Sequence, residues 1–218
     1  MVVKLLTGWY HKEMLITIFT LIVLFFSIVI HEVAHGSAAL ALGDPTAEEA
    51  GRLTLNPLKH IDPLGTIFLP LILLVLTFGR GPILGWAKPV PINPYNFRDQ
   101  KWGTLKVAAA GPATNFLIAV IFGLFIRFFV LPEILLTLFS IIIIYNFAWG
   151  LFNLVPLPPL DGSWILFNLL PKQLSNLKLF LQQYGLFILL FFIFFGLRWI
   201  FLGAQILYYL TCGQALVI

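Results

Sequence analysis

The chain has 218 residues, of which 60% are hydrophobic and only 10% charged, with a mean hydropathy of +0.99. Twenty-two Phe and long uncharged runs exclude an ordinary globular domain. The net charge of +4 reads as loop Lys and Arg that orient the chain in a membrane, not as nucleic-acid binding, and the single Cys212 excludes both a disulfide framework and a Cys-based zinc site.

Residues 1–13 read as an interfacial lead-in with Trp9 and Tyr10 at headgroup level. Residues 14–43 form the first long helix, uncharged from Met14 to Ile30 and closing with HEVAHG in its second half. No small-residue cleavage site follows the apolar run, so a signal peptide is not expected. Residues 44–63 are polar and turn-rich, with a short hairpin-like segment near 50–56. Residues 64–79 are apolar but interrupted by Pro70. Sixteen residues give about 24 Å of helix, short for a hydrocarbon core of about 30 Å. Residues 80–104 form a basic loop whose prolines and β-branched residues suit a second hairpin-like segment near 85–93. Spans follow at 105–130 and 134–154, separated by the Pro132-Glu133 turn. After the non-helical VPLPPLDG come a short helix and loop at 163–178, a span at 179–197, and a last span or interfacial helix at 199–217.

The fold class is therefore an all-α polytopic membrane protein. Its single domain, residues 1–218, carries five to six hydrophobic helical segments. The basic residues Arg80, Lys88, Arg98, Lys101 and Lys106, with Arg52 and Lys59, place both flanks of 64–79 on the cytoplasmic side. That segment is then expected to be re-entrant.

Chemistry is concentrated in His31-Glu32-Val33-Ala34-His35. On a helix, i and i+4 share a face, so the two imidazoles reach one metal ion. Glu32, the next residue round, reaches a water on that metal as general base. Ionisable groups at membrane depth are costly and functional by default, and three lie within five residues. A catalytic zinc takes a third protein ligand. Of the nine acids, only Glu32 and Asp161 border long apolar segments on both sides. Asp161 follows prolines that keep the backbone non-helical and precedes Gly162. It reads either as the third ligand or as the N-cap of the helix starting near Ser163. His11 and His60 read as ordinary interfacial side chains. A non-proteolytic reading, a metal transporter or an inactive scaffold, uses the same residues. It leaves Glu32 without a role, because that carboxylate is surplus to metal binding.

HEVAHG, GPATN and NLVPLPPLDG occur in that order, and over roughly residues 14 to 200 the chain resembles the site-2 protease family of intramembrane zinc metalloproteases. It is most similar to small prokaryotic members without PDZ or CBS domains. The resemblance implies one zinc per chain, held by His31, His35 and Asp161, with Glu32 as the base. It implies a multi-pass protein of a prokaryotic cell membrane that cleaves transmembrane protein substrates from a site facing the cytoplasm. Asn115 and Asn153 match the family's polar positions near the active site. Asn115 would bind the substrate backbone or the oxyanion, or else make an interhelical hydrogen bond or cap.

Overall fold

The computed structural model describes residues 2–78 and 85–216, with side chains from residue 13 onward except those of Pro70, Lys101 and Lys172. The side chains of Trp9, Tyr10 and His11, and Arg80 at the start of the basic loop, lie outside these. The chain divides into two compact units: Met1–Ser27 with Pro112–Ile218, and Ile28–Gly111.

Seven α-helices run through the described residues, and no strand forms among them. They are α1 (Val2–Ala41), α2 (Thr46–Glu49), α3 (Leu69–Leu76), α4 (Gln100–Phe128), α5 (Glu133–Asn153), α6 (Asp161–Leu169) and α7 (Ser175–Cys212). Four of them, α1, α4, α5 and α7, are long and apolar enough to cross a membrane. In hydrocarbon every backbone group must be satisfied within the segment, and such helices do this.

In the first unit α5 packs along α7. Ala119 and Ile126 of α4, Ile143, Ile144, Phe147 and Ala148 of α5, and Ala204, Tyr208 and Cys212 of α7 form its core. The polar groups inside that core are paired: Ser140 Oγ lies 2.8 Å from the Tyr208 hydroxyl. Gly123 has no side chain because a Cβ there would strike Thr211, so the small residue permits a close helix approach. α7 ends at Gly213 in the left-handed conformation, and Arg127 donates to the carbonyl of Leu210 at 3.0 Å. A cation on the last carbonyls complements the helix dipole.

One expectation fails in this unit. The spans at 179–197 and 199–217 are a single helix of 38 residues. Arg198 falls between the two expected spans, and a lone arginine does not break a helix. Its guanidinium stacks over the Trp199 ring at 5.2 Å, and its stem remains apolar.

In the second unit α1 ends in a Schellman turn. Gly43 has φ +107°, its N–H donates to the Leu40 carbonyl, and the Asp44 N–H donates to the Ala39 carbonyl. Ala39, Phe97 and Val107 form a small core. The segment around 64–79 is a π-helical stretch, Pro63–Phe68, followed by α3. The run Pro63–Leu76 is apolar but shorter than a span, and Leu71, Ile72, Val75 and Leu76 are exposed.

The two hairpin-like segments do not form strands. Residues 50–56 are turn and bend, and 85–93 is extended without a ladder. Pro89 and Pro91 lack N–H donors. The N–H groups of Trp86, Lys88, Val90 and Asn93 go instead to Gly65, His60, Glu32 and Asp44. Prolines and β-branched residues specify extended backbone here, but side chains and loops, not a second strand, take its hydrogen bonds.

Candidate functional site

The second unit contains His31, Glu32 and His35 on one stretch of α1. The imidazoles are one turn apart, both buried, with ring centroids 4.6 Å apart and planes at 86°. Their Nε2 atoms stand 3.0 Å from each other. Two zinc–nitrogen bonds of about 2.05 Å at the tetrahedral angle separate their nitrogens by about 3.3 Å, so this pair fits a zinc ion with little adjustment. His35 Nδ1 lies 2.6 Å from the Val107 carbonyl of α4. A carbonyl only accepts, so Nδ1 carries the proton and Nε2 keeps the lone pair a metal needs.

Gly111 of α4 faces the same two rings. A Cβ there would collide with His35 Nε2 and stand 2.6 Å from His31 Cε1. The glycine of GPATN thus leaves room at the two imidazoles. Pro112, which follows it inside α4, removes one intrahelical donor at this level.

Glu32 is half-buried and its Oε2 accepts the Val90 N–H at 2.9 Å. Val90 belongs to the extended segment, which two buried side chains hold on either side. Arg52 donates to the carbonyls of Lys59, Lys88 and Pro89. Asp44, fully buried, accepts the Asn93 N–H at 2.7 Å, the Asn96 amide at 2.8 Å, and both the N–H and the hydroxyl of Thr46. Burial by itself raises the Asp44 carboxyl, but these hydrogen bonds outweigh it and hold the group below its ordinary value of 3.8. In the sequence Arg52 read only as an orienting loop charge and Asp44 as one of the loop acids. His60 is also fully buried, with Nε2 2.8 Å from the Thr54 carbonyl.

The first unit contains Asp161, Asn115 and Asn153. Residues 154–160 are turns and bends, including a cis Pro158-Pro159 peptide. α6 then begins at Asp161 itself. Its N-cap is Leu160, which makes no side-chain cap bond, so Asp161 is not the N-cap. Gly162 is required by close approach: a Cβ would strike the Leu154 and Val155 carbonyls. The half-buried Asp161 carboxylate is therefore set by irregular backbone folded tightly against the start of a helix.

Asn115 is completely buried. Its Nδ2 donates to the Ser27 carbonyl at 3.2 Å and to Asn146 Oδ1 at 2.9 Å, and Asn146 Nδ2 in turn donates to the Ile142 carbonyl at 2.9 Å. This joins α1, α4 and α5 within the unit. Asn146 was passed over in the sequence, although an Asn following four Ile and a Tyr in a span is the kind of polar position that carries a partner. Asn153 Nδ2 bonds back to the Trp149 carbonyl of its own helix at 3.0 Å.

Comparison with known proteins gives three findings. The model of "Peptidase family M50" matches residues 130–196. "Putative zinc metalloprotease YwhC" of Bacillus subtilis (strain 168) is 38% identical over 186 residues, covering 79% of this chain and 78% of that one. "Putative zinc metalloprotease Rip2" of Mycolicibacterium smegmatis is 30% identical over 138 residues, covering 62% of this chain and 51% of that one. No solved structure matches at a significant level.

Proposed function

Since the chain belongs to peptidase family M50, the site-2 protease family, we propose that it is an intramembrane zinc metalloprotease that hydrolyses peptide bonds of transmembrane protein substrates. The observation that carries this reading is the buried His31–His35 pair, with Nε2 atoms 3.0 Å apart and the His35 tautomer set by Val107, beside a carboxylate that metal binding does not require. The names of the two relatives, each "Putative zinc metalloprotease", support the choice of metal.

His31, His35 and Asp161 would hold one zinc through two neutral imidazole nitrogens and a carboxylate oxygen. Zinc, when bound, acidifies water and polarises a peptide carbonyl. Glu32 takes the proton from the attacking water and passes it to the leaving amine. One Glu32 oxygen accepts from Val90, and a carboxylate has a second oxygen for that proton. A substrate helix hides its carbonyls in i→i+4 bonds, so it must unwind locally before attack. The excess of Lys and Arg in the loops around α3 supports a site open to the cytoplasmic side of a cell membrane.

Asn115 has a narrower part than substrate binding. Its amide protons lie on Ser27 and Asn146, which supports the interhelical reading over an oxyanion donor. Asn153, bonded to its own helix, holds the end of α5 from which the Asp161 turn departs.

The test is cleavage of a single-span membrane reporter by purified protein in zinc-replete detergent. The wild type is expected to cleave, and Glu32→Gln to bind zinc yet lose activity by about 10²- to 10⁴-fold. Full activity in Glu32→Gln overturns the assignment.

A further inference from the structure

Glu32 shares a helix turn with the two imidazoles, yet what holds its carboxylate comes from another segment. The donor is the Val90 main chain, 58 residues away. Val90 sits between Pro89 and Pro91, so its N–H is the single backbone donor of that tripeptide. Its side chain is buried, and a Cβ on Gly36 would stand 2.8 Å from its Cγ1. The segment is thus pressed against α1 one turn beyond Glu32.

Arg52 determines where this N–H lies. Arg52 is buried, with 7% of its surface exposed. Nη2 donates to the Lys88 and Pro89 carbonyls, both at 3.2 Å, and Nη1 to the Lys59 carbonyl. All of these acceptors are main-chain carbonyls. The Pro89 carbonyl belongs to the same peptide unit as the Val90 N–H. Arg52 therefore grips one end of the peptide whose other end grips Glu32. A planar fork with five donors fixes that peptide's orientation in a way a point charge cannot.

We propose that Arg52 is a positioning residue for proteolysis, holding the Pro89–Val90 peptide so that its N–H orients the Glu32 carboxylate. The proposal rests on Glu32 being the general base. A base must sit within a fraction of an ångström of its productive place, and Glu32 has three rotatable bonds with which to leave it. The Val90 N–H removes that freedom. Asp44 acts as the second clamp, at Asn93 and Asn96 on the far side of Val90.

Two measurements test this. The first is amide exchange at Val90 in detergent. The amide is expected to be protected in the wild type and to exchange at least tenfold faster in Arg52→Met, with zinc content unchanged. The second is turnover of the membrane reporter. Val90→Pro deletes the N–H and is expected to lower kcat about 10- to 100-fold with KM unchanged, the scale of an ångström misplacement. Val90→Ala keeps the N–H and is expected to lose less of kcat than Val90→Pro. Arg52→Met is expected to lower kcat similarly, and the double variant to lose little more, because both act through one hydrogen bond. Arg52→Lys, one donor in place of a fork, is expected to restore kcat in part.

Unchanged Val90 exchange in Arg52→Met overturns the proposal, as does fully additive loss in the double variant. The exchange measurement stands even where Val90→Pro fails to fold. A wild type that binds zinc and does not cleave under any condition overturns the protease reading itself. A wild type that cleaves, with an Arg52→Met that cleaves equally well, overturns only the role of Arg52.

Discussion

Replacing Gly111 by Ala places one methyl group against both imidazoles. Its carbon would collide with His35 Nε2 and stand 2.6 and 2.7 Å from His31 Cε1 and Nε2. Ordinary contact is about 3.5 Å or more, so the rings must retreat by about 1 Å or α4 must move away. Metal–ligand distances tolerate about 0.2 Å, so either response spoils the site. Overpacking costs about 1–3 kcal/mol. If that strain falls on the zinc-bound state, at 1.4 kcal/mol per decade the dissociation constant rises roughly 5- to 140-fold. The assay is competition for zinc against a chromophoric chelator in detergent. Gly103→Ala on the same helix crowds only Phe97 and serves as the control, with unchanged zinc affinity. Wild-type zinc affinity in a folded Gly111→Ala would refute the placement of the metal at the two Nε2 atoms.

Asp44 has a depressed folded value. Its contribution to stability is complete above the unfolded value near 3.8 and is lost as pH falls through the folded one. The melting-temperature gap between wild type and Asp44→Asn is therefore expected to be flat from about pH 7 to pH 5 and to narrow below about pH 4. A gap that widens on acidification contradicts this. Asp44→Ala strands the Asn93 N–H and the Asn96 amide and is expected to cost about 1–3 kcal/mol in denaturant-based stability. Asn146→Leu removes the acceptor for Asn115 in the first unit. A double-mutant cycle of Asn146→Leu with Asn115→Leu is expected to give a coupling of about 0.6–1.7 kcal/mol, and zero coupling would dissolve the proposed interhelical bond.

The parts of the chain that local rules govern were legible before any coordinates. Uninterrupted apolar length announces α1, α4 and α5, because lipid leaves a backbone few other options. The HEVAH pair was equally plain, since spacing of four on a helix makes the rings neighbours. Asp161 was one of two acids bordering apolar segments on both sides, which left ligand and N-cap both open, and α6 begins at Asp161 itself with Leu160 as its N-cap. What was misread depends on contacts between distant segments. The extended 85–93 run has strand-like composition, but whether it finds a ladder is decided by Glu32, Asp44 and Arg52, whose reach cannot be read locally. His60 lies in a polar stretch and is nonetheless buried, because burial belongs to the fold and not to the neighbours in sequence. The single α7 was divided into two spans around residue 198, though the long stem of Arg198 lets the helix run on.

The measurement that bears most directly on the central claim is the zinc content of the detergent-purified protein, wild type against Asp161→Ala. The account predicts about one zinc per chain in the wild type, largely lost in the variant, as a three-ligand site requires. A variant that keeps its zinc places the third ligand elsewhere, and a wild type that stays empty when supplied with zinc contradicts the metalloprotease reading of this chain.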